Sequence, residues 1–193
     1  MSSIDEGERM QLSIEEAAPS DAETIQQVFY KTWLATYPNK EAGISVDDIE
    51  DRFKDRFTEQ ELEKRKKKME SMPPNEKHFV AKMAGKVVGT CYAKRLDDRN
   101  QLQTIYVLPE YQGSGIGSAL WKQAANFFDP TKDTYVEVAV YNKGAIDFYS
   151  RIGFVDTGRR FSDPKFVMKS GATFPEMEMC RKASAMPNRQ SAT

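Results

Sequence analysis

Hydrophobic and polar positions change period several times along the chain, and each change marks an element. Leu12 and Ile14 alternate with polar neighbours, which predicts a strand over residues 11–17. Pro19-Ser20-Asp21 opens a helix, with Ser20 as N-cap and Glu23 closing a capping box. Ile25, Val28, Phe29 and Thr32-Trp33 recur at helical spacing behind it. Pro38-Asn39 and Gly43 mark a loop. Ser45 or Asp47 caps a second helix bearing Ile49, Phe53 and Phe57, which breaks near Thr58 and resumes from Leu62 to Met69. Two apolar runs, His78 to Met83 and Lys86 to Ala93, flank Ala84-Gly85 as a hairpin. Leu102 to Val107 predicts another strand, closed by Pro109. A glycine-rich turn leads into a helix over 115–128, a strand over 135–140 and a short helix over 143–151 ended by Gly153. Strands over 154–161 and 174–181 complete the series.

The order β-α-α-β-β-β-α-β-α-β-β predicts an α/β fold of α+β type. Consecutive strands imply antiparallel pairs, and the two later β-α-β stretches imply a parallel pair in a mixed, mostly antiparallel sheet. No repeat or linker divides the chain, so one domain is expected over 10–182, between small polar tails at 1–9 and 183–193.

Composition narrows the chemistry. The 193 residues are 39% hydrophobic and 30% charged, enough for a core, and the formal net charge of −1 supplies no field to recruit nucleic acid or an anionic membrane. Cys91 and Cys180 lie far apart, without a disulfide framework or metal-ligand spacing, and His78 is the sole histidine. No apolar run suits a signal peptide or membrane span, so a reduced, cytoplasmic compartment is expected.

The segment richest in chemistry runs from Ile105 to Leu120. A strand feeds a turn with Gly113, Gly115 and Gly117 at alternate positions, and a helix begins inside it. Free N–H groups and the dipole at a helix start favour an anion, and glycine lets backbone approach a phosphate without a Cβ in the way. Gln112, Gly113, Ser114, Gly115, Ile116 and Gly117 therefore form a candidate pyrophosphate cradle. The dinucleotide fingerprint fails, because Ser118 stands where its last glycine belongs, and no Gly-Lys-Ser/Thr run makes a Walker loop. A plain glycine turn without a ligand is the alternative at this point.

Gln112-Gly-Ser-Gly115-Ile-Gly117 resembles the Q/R-x-x-G-x-G/A motif of the GNAT family of N-acetyltransferases. Asn142-Lys-Gly-Ala145-Ile-Asp-Phe148-Tyr149-Ser-Arg-Ile-Gly153-Phe154 resembles the family's N-x-x-A-x-x-F-Y-x-x-x-G-F block at every defining position. The resemblance covers about residues 78–161 and is weaker for Trp33-x-x-x-Tyr37. It implies a sheet of six to seven strands flanked by about four helices and splayed between its fourth and fifth strands. It also implies that acetyl-CoA is the co-substrate, without a metal, and that the acceptor is a primary amine. By the same resemblance, Gln112 to Gly117 bind the pyrophosphate and main-chain groups of Ile105 and Val107 lie near the thioester. Asn142 contacts the pantetheine side, and Tyr149 is the general acid for the departing thiolate.

Elsewhere the residues are less committed. Many family members carry a Glu on the fourth strand where Gln101 stands here, which leaves the general base to Glu137 or a water chain. Cys91 reads as a small hydrophobe on a strand and His78 as a strand-end residue. Lys64-Arg65-Lys66-Lys67-Lys68 sits among glutamates and reads as a solvated, ion-paired helix face. Trp33 and Tyr37, one helical turn apart, form a candidate acceptor site with the acids Glu41, Asp47, Asp48, Glu50 and Asp51, which would suit a cationic amine. A catalytically silent CoA-binding module and an acetyltransferase of protein N-termini or lysines stand as alternatives. The expected partner is a small amine, not nucleic acid or a membrane, and a homodimer is compatible with the sequence.

Overall fold

A computed structural model describes residues 11–183. The tails expected at 1–9 and 183–193 lie outside the described residues, apart from Ala183. Seven strands form one sheet: β1 (Leu12–Glu16), β2 (Glu76–Met83), β3 (Lys86–Arg95), β4 (Asn100–Val107), β5 (Thr134–Ala139), β6 (Val155–Phe161) and β7 (Glu176–Arg181). The helices are α1 (Ala22–Thr36), α2 (Val46–Phe53), α3 (Glu59–Glu70), α4 (Ile116–Phe127) and α5 (Lys143–Arg151). The expected break at Phe57-Thr58 makes α2 and α3 separate helices, the Thr58 hydroxyl capping the second through the Glu61 N–H. Among the described residues, no helix is long and apolar enough to cross a membrane.

The strand order is β1-β2-β3-β4-β5-β7-β6. Among the described strands, only β4 and β5 pair in parallel. The second β-α-β stretch does not pair its own strands, because β7 inserts between β5 and β6 and runs antiparallel to both. The N-terminus of α1 also differs from expectation. Pro19–Asp21 form a 3-10 turn, and it is Asp21, not Glu23, whose carboxylate reaches back to accept the Ala18 N–H at 2.9 Å. Ser45 caps α2 as expected, in a reciprocal box with Asp48.

Side-chain alternation sorts the helices to two faces. Gly89, opposite Val107, faces Ile116 and Leu120 of α4, so Ile105 and Val107 point to the α4 side. Tyr106 points the other way, with its ring centroid 5.0 Å from that of Phe29 in α1. Leu102, Val136, Leu120 and Phe154 are buried in the main core, and Trp33, Ile49, Phe53 and Phe174 form a second one under α1 and α2.

One irregularity positions the site. Tyr92 pairs with Thr104 and Ala93 with Leu102, which leaves Gln103 as the extra residue of a β-bulge in β4. Parallel pairing of β4 with β5 covers only Asn100–Leu102 against Thr134–Val136 and stops at that bulge. Asn100 holds the paired end shut. Its amide donates to the carbonyls of Asp129 and Lys132 at 2.8 and 3.0 Å and accepts the Asp129 N–H at 3.0 Å. Beyond the bulge the two strands part, so the β5-facing main chain of residues 103–107 has no strand partner.

Candidate active site

A cavity of about 630 Å³ passes through the sheet where β4 and β5 separate. On the α4 side it is lined by Val107, Gly113, Gly115, Gly117, Asn142 and Tyr149. On the α1 side it is lined by Trp33, Tyr37, Thr104, Tyr106, Phe174 and Glu176. One opening thus joins the two motif segments to the Trp33–Tyr37 pair.

The glycine turn has the geometry an anion cradle needs. Gly113 and Gly115 have φ of 77° and 86°, and a Cβ on either would meet no atom within 4 Å. Both backbones are left-handed and border open space, the condition under which glycine is required and a ligand can approach. Helix α4 begins at Ile116, which leaves its first N–H groups unpaired at the cavity. Gly117 differs: a Cβ there would lie 3.4 Å from the Phe148 ring, so its smallness packs α4 against α5. Ile116 is buried in the core, and the Ser114 hydroxyl bonds the Tyr111 carbonyl, so neither side chain lines the cavity. The Gln112 side chain turns back and donates Nε2 to the Val107 carbonyl at 3.0 Å, which ties the turn to the end of β4. Asn142 accepts the Ala145 N–H on Oδ1 at 3.1 Å as the cap of α5, leaving its Nδ2 without a protein partner among the described residues.

Tyr149 is 6% exposed, with its ring packed against Phe148 and Phe154. Burial, with smaller contributions from Tyr106 and Cys91, raises its pKa far above that of free tyrosine. Its hydroxyl therefore stays protonated at any neutral pH. Across the cavity the Tyr37 and Tyr106 hydroxyls lie 3.0 Å apart, and the Tyr141 hydroxyl donates to the Tyr37 carbonyl at 3.1 Å. Burial raises the pKa of both Tyr37 and Tyr106. Trp33 and Tyr37 sit edge to face with centroids 4.8 Å apart, and Tyr37 packs on Phe174 at 4.9 Å.

Gln101 is buried on the paired part of β4, opposite Tyr135, and does not line the cavity; Gln103 at the bulge does. Glu137 lines it and has its pKa raised by burial. The group that sequence reasoning missed is Glu176, at the start of β7 and opposite Ala139. Its Oε2 is buried with no hydrogen-bond partner. Burial first, then the charges of Glu137 and Asp163, lift its pKa to about 7. A carboxyl group with its pKa raised by burial in a cleft is a candidate for proton transfer. Its only trace in the sequence is one acid beside the apolar positions of a late strand.

The acids grouped with Trp33 and Tyr37 do not join them. Glu41, Asp47, Asp48, Glu50 and Asp51 are all absent from the cavity lining. Asp48 is instead buried and structural, accepting the Ser170 N–H at 2.8 Å besides its cap with Ser45. The face turned to the cavity carries Arg52 of α2 and Arg56 of the turn that follows it, joined by Arg65 of α3. Lys64 and Lys66 make the expected local ion pairs with Glu61 and Glu63, but Arg65, between them in sequence, turns inward. Cys91 is fully buried in the core, and burial raises its thiol pKa, so it packs as a small hydrophobe. His78 bonds the Thr90 hydroxyl at 2.6 Å through Nε2, and burial lowers its pKa to about 4.

Comparison with known proteins places this geometry. Residues 46–154 match the Acetyltransferase (GNAT) family. The chain is 38% identical over 85 residues to an N-acetyltransferase of Methanocaldococcus jannaschii, a match covering 39% of this chain and 38% of that one. It is 34% identical over 89 residues to an N-alpha-acetyltransferase of Arabidopsis thaliana, covering 43% of this chain and 47% of that one. The matched stretch is thus less than half of either relative's length. Among solved structures, the PaiA N-acetyltransferase of Thermoplasma acidophilum in complex with coenzyme A superposes with a TM-score of 0.68 at 19% identity, over 90% of this chain and 99% of that one. The ribosomal-protein-S18-alanine N-acetyltransferase of Escherichia coli superposes at 0.60 and 16% identity, over 94% of this chain and 99% of that one. At such identities these two likenesses concern the fold.

Proposed function

The chain belongs to the GNAT family of acetyltransferases, and from that premise we propose that it moves an acetyl group from acetyl-CoA to a primary amine by direct attack on the thioester. The observation that carries the reading is the parting of β4 and β5, which joins the glycine turn on one face to Glu176 on the other through a single cavity. The residues present suit acetyl-CoA. Gly113 and Gly115 leave open space at a helix start for a pyrophosphate. The unpaired edge of β4 over 103–107 offers main-chain partners to an amide-bearing arm. Bound there, acetyl-CoA supplies an activated acyl group and a thiolate leaving group.

The chain's own residues then have distinct tasks. An alkylammonium has no lone pair, and its reference pKa is near 10.4. Glu176, half in its anionic form near pH 7, accepts the proton that must leave. Main-chain N–H groups of Ile105 and Val107 stabilise the charge that develops on the carbonyl oxygen. Tyr149, kept protonated by burial, donates to the departing sulfur. Gln112 holds the end of β4 in place by bonding the Val107 carbonyl. Asn142, with Nδ2 unused by its capping bond, faces the arm.

The decisive experiment combines calorimetry of acetyl-CoA with an acceptor screen read by thiol release, across amino acids, aminoglycosides, polyamines and peptides. Failure of acetyl-CoA to bind refutes the reading. Binding without turnover on any amine leaves a silent CoA-binding module instead.

A further inference from the structure

The α1-side end of the cavity gathers positive charge without a counter-ion. Arg52, Arg56 and Arg65 line it, and none of them has a carboxylate within ion-pair distance among the described residues. Glu61, whose field reaches Arg65, is held by Lys64 at 2.5 Å. The Cζ of Arg52 lies over two aromatic rings, 4.7 Å from the Phe166 centroid and 5.4 Å from that of Trp33. The Nε of Arg65 is buried with no hydrogen-bond partner, as is the Thr104 hydroxyl on β4 in the same cavity. Burial and the neighbouring Arg56 lower the pKa of both Arg52 and Arg65. By contrast, Arg159 pairs with Glu178 at 2.9 Å, Arg160 with Asp156 at 2.6 Å, and Arg95 bonds the Phe127 carbonyl at 2.6 Å.

Repelling, half-buried guanidiniums with unused donors cost free energy unless something supplies the missing anion. Guanidinium forks match the planar or tetrahedral oxygens of carboxylate and phosphate. Glu176 lines the same cavity with an unpartnered carboxylate oxygen, suited to an ammonium. We propose that the acceptor is a small amine that also carries an anionic group, a carboxylate or a phosphate, which Arg52, Arg56 and Arg65 seat while the amine turns toward Glu176 and the opening in β4. The acceptor is thus bipolar rather than a simple polycation. This inference rests on the acetyltransferase reading and narrows its substrate class.

The test uses matched amines over a series of chain lengths: ω-amino carboxylates, ω-aminoalkyl phosphates, α,ω-diamines and a short acidic peptide. Thiol release is measured for the wild type, Arg56→Gln and Arg65→Gln, with melting curves to establish folding and calorimetry of acetyl-CoA in parallel. The expected result is a kcat/KM at least about tenfold higher for one anionic class than for the diamine of equal length, the scale of one charge-assisted contact. The carboxylate and phosphate arms decide which anion is read. Each Arg→Gln variant raises KM for the anionic amine about tenfold, leaves acetyl-CoA affinity unchanged and narrows the gap to the diamine. Diamines preferred over their anionic counterparts, turnover confined to the peptide, or unchanged KM in folded variants each overturn the proposal while acetyl-CoA binding keeps the acetyltransferase reading intact. Absence of acetyl-CoA binding removes both.

Discussion

The hydroxyl of Tyr37 lies 3.0 Å from that of Tyr106, and this contact joins the C-cap of α1 to β4 at the cavity. It fixes the wall on which Trp33 and Phe174 pack and keeps α1 in register with the open edge of the sheet. Both rings also lie within reach of the Glu176 charge, which raises their pKa further beyond the effect of burial. The tyrosines therefore serve as a rigid, neutral partition. Glu176 and the three arginines, the charged groups proposed to meet the substrate, line the same cavity.

Gly115→Ala tests the cradle. The φ of 86° is strained for any L side chain, at a cost of roughly 1–2 kcal/mol. The new methyl projects into open space rather than into protein. The expected outcome is a melting temperature lower by a few degrees together with at least a tenfold loss of acetyl-CoA affinity by calorimetry. Retained affinity in the folded variant moves the pyrophosphate elsewhere.

Tyr149→Phe keeps the ring that packs on Phe148 and Phe154 and deletes only the hydroxyl. A general-acid role predicts a kcat lower by roughly 10- to 1000-fold, with acetyl-CoA affinity retained. An unchanged kcat in a chemistry-limited assay assigns the proton to another group.

Much of this was legible in the chain, and the physical reason is locality. The turn from Gln112 to Gly117 and the block from Asn142 to Phe154 are contiguous, and their backbone demands force specific residues at fixed offsets. Strand and helix positions followed from periodicity, with most ends displaced by a residue or two; α2 stops at Phe53, four residues before the expected Phe57, and α3 starts at Glu59, three before the expected Leu62. Three features were not legible. Insertion of β7 between β5 and β6 depends on sheet order, which side-chain period does not encode. The inward turn of Arg65 is invisible among lysines until α3 packs beside α1. Glu176 is ordinary in sequence and becomes chemical only when the fold buries it within reach of Tyr37, Tyr106 and Tyr141, which come from elements far along the chain. Asp48 erred in the opposite sense: its run of neighbouring acids suggested a ligand surface, whereas its own oxygens are used within the fold.

Asp48→Asn follows from that finding. Four hydrogen bonds from Ser45 and Ser170 hold the carboxylate, and their donation, led by the Ser45 N–H, lowers its pKa to about 2. A depressed folded pKa means a stability contribution present above the unfolded value near 3.9 and lost as pH falls toward 2. The variant is expected to melt lower at pH 7, with a difference that shrinks between about pH 4 and pH 2, and with acceptor KM unchanged. Altered acceptor KM with normal stability returns Asp48 to the binding site.

Glu176→Gln separates catalysis from burial, because the same raised pKa predicts two effects of different origin. As proton acceptor, Glu176 works only when ionised, so wild-type kcat/KM rises with pH and levels off above about 7. The glutamine variant loses that bend and falls by roughly 10²- to 10⁴-fold, the span of acid–base groups. For stability the sign is reversed. The folded pKa lies above the usual 4.5, so the contribution of the neutral form is full below that value and disappears as pH rises through about 7. Glutamine is neutral at every pH, so the variant gains in melting temperature over the wild type at pH 8.5 and far less at pH 5. If the rate falls but the bend persists, the proton passes through Glu137, the other carboxylate lining the cavity. If the melting difference does not grow with pH, the carboxyl is solvated in the folded protein, and the account of a poised base fails with it.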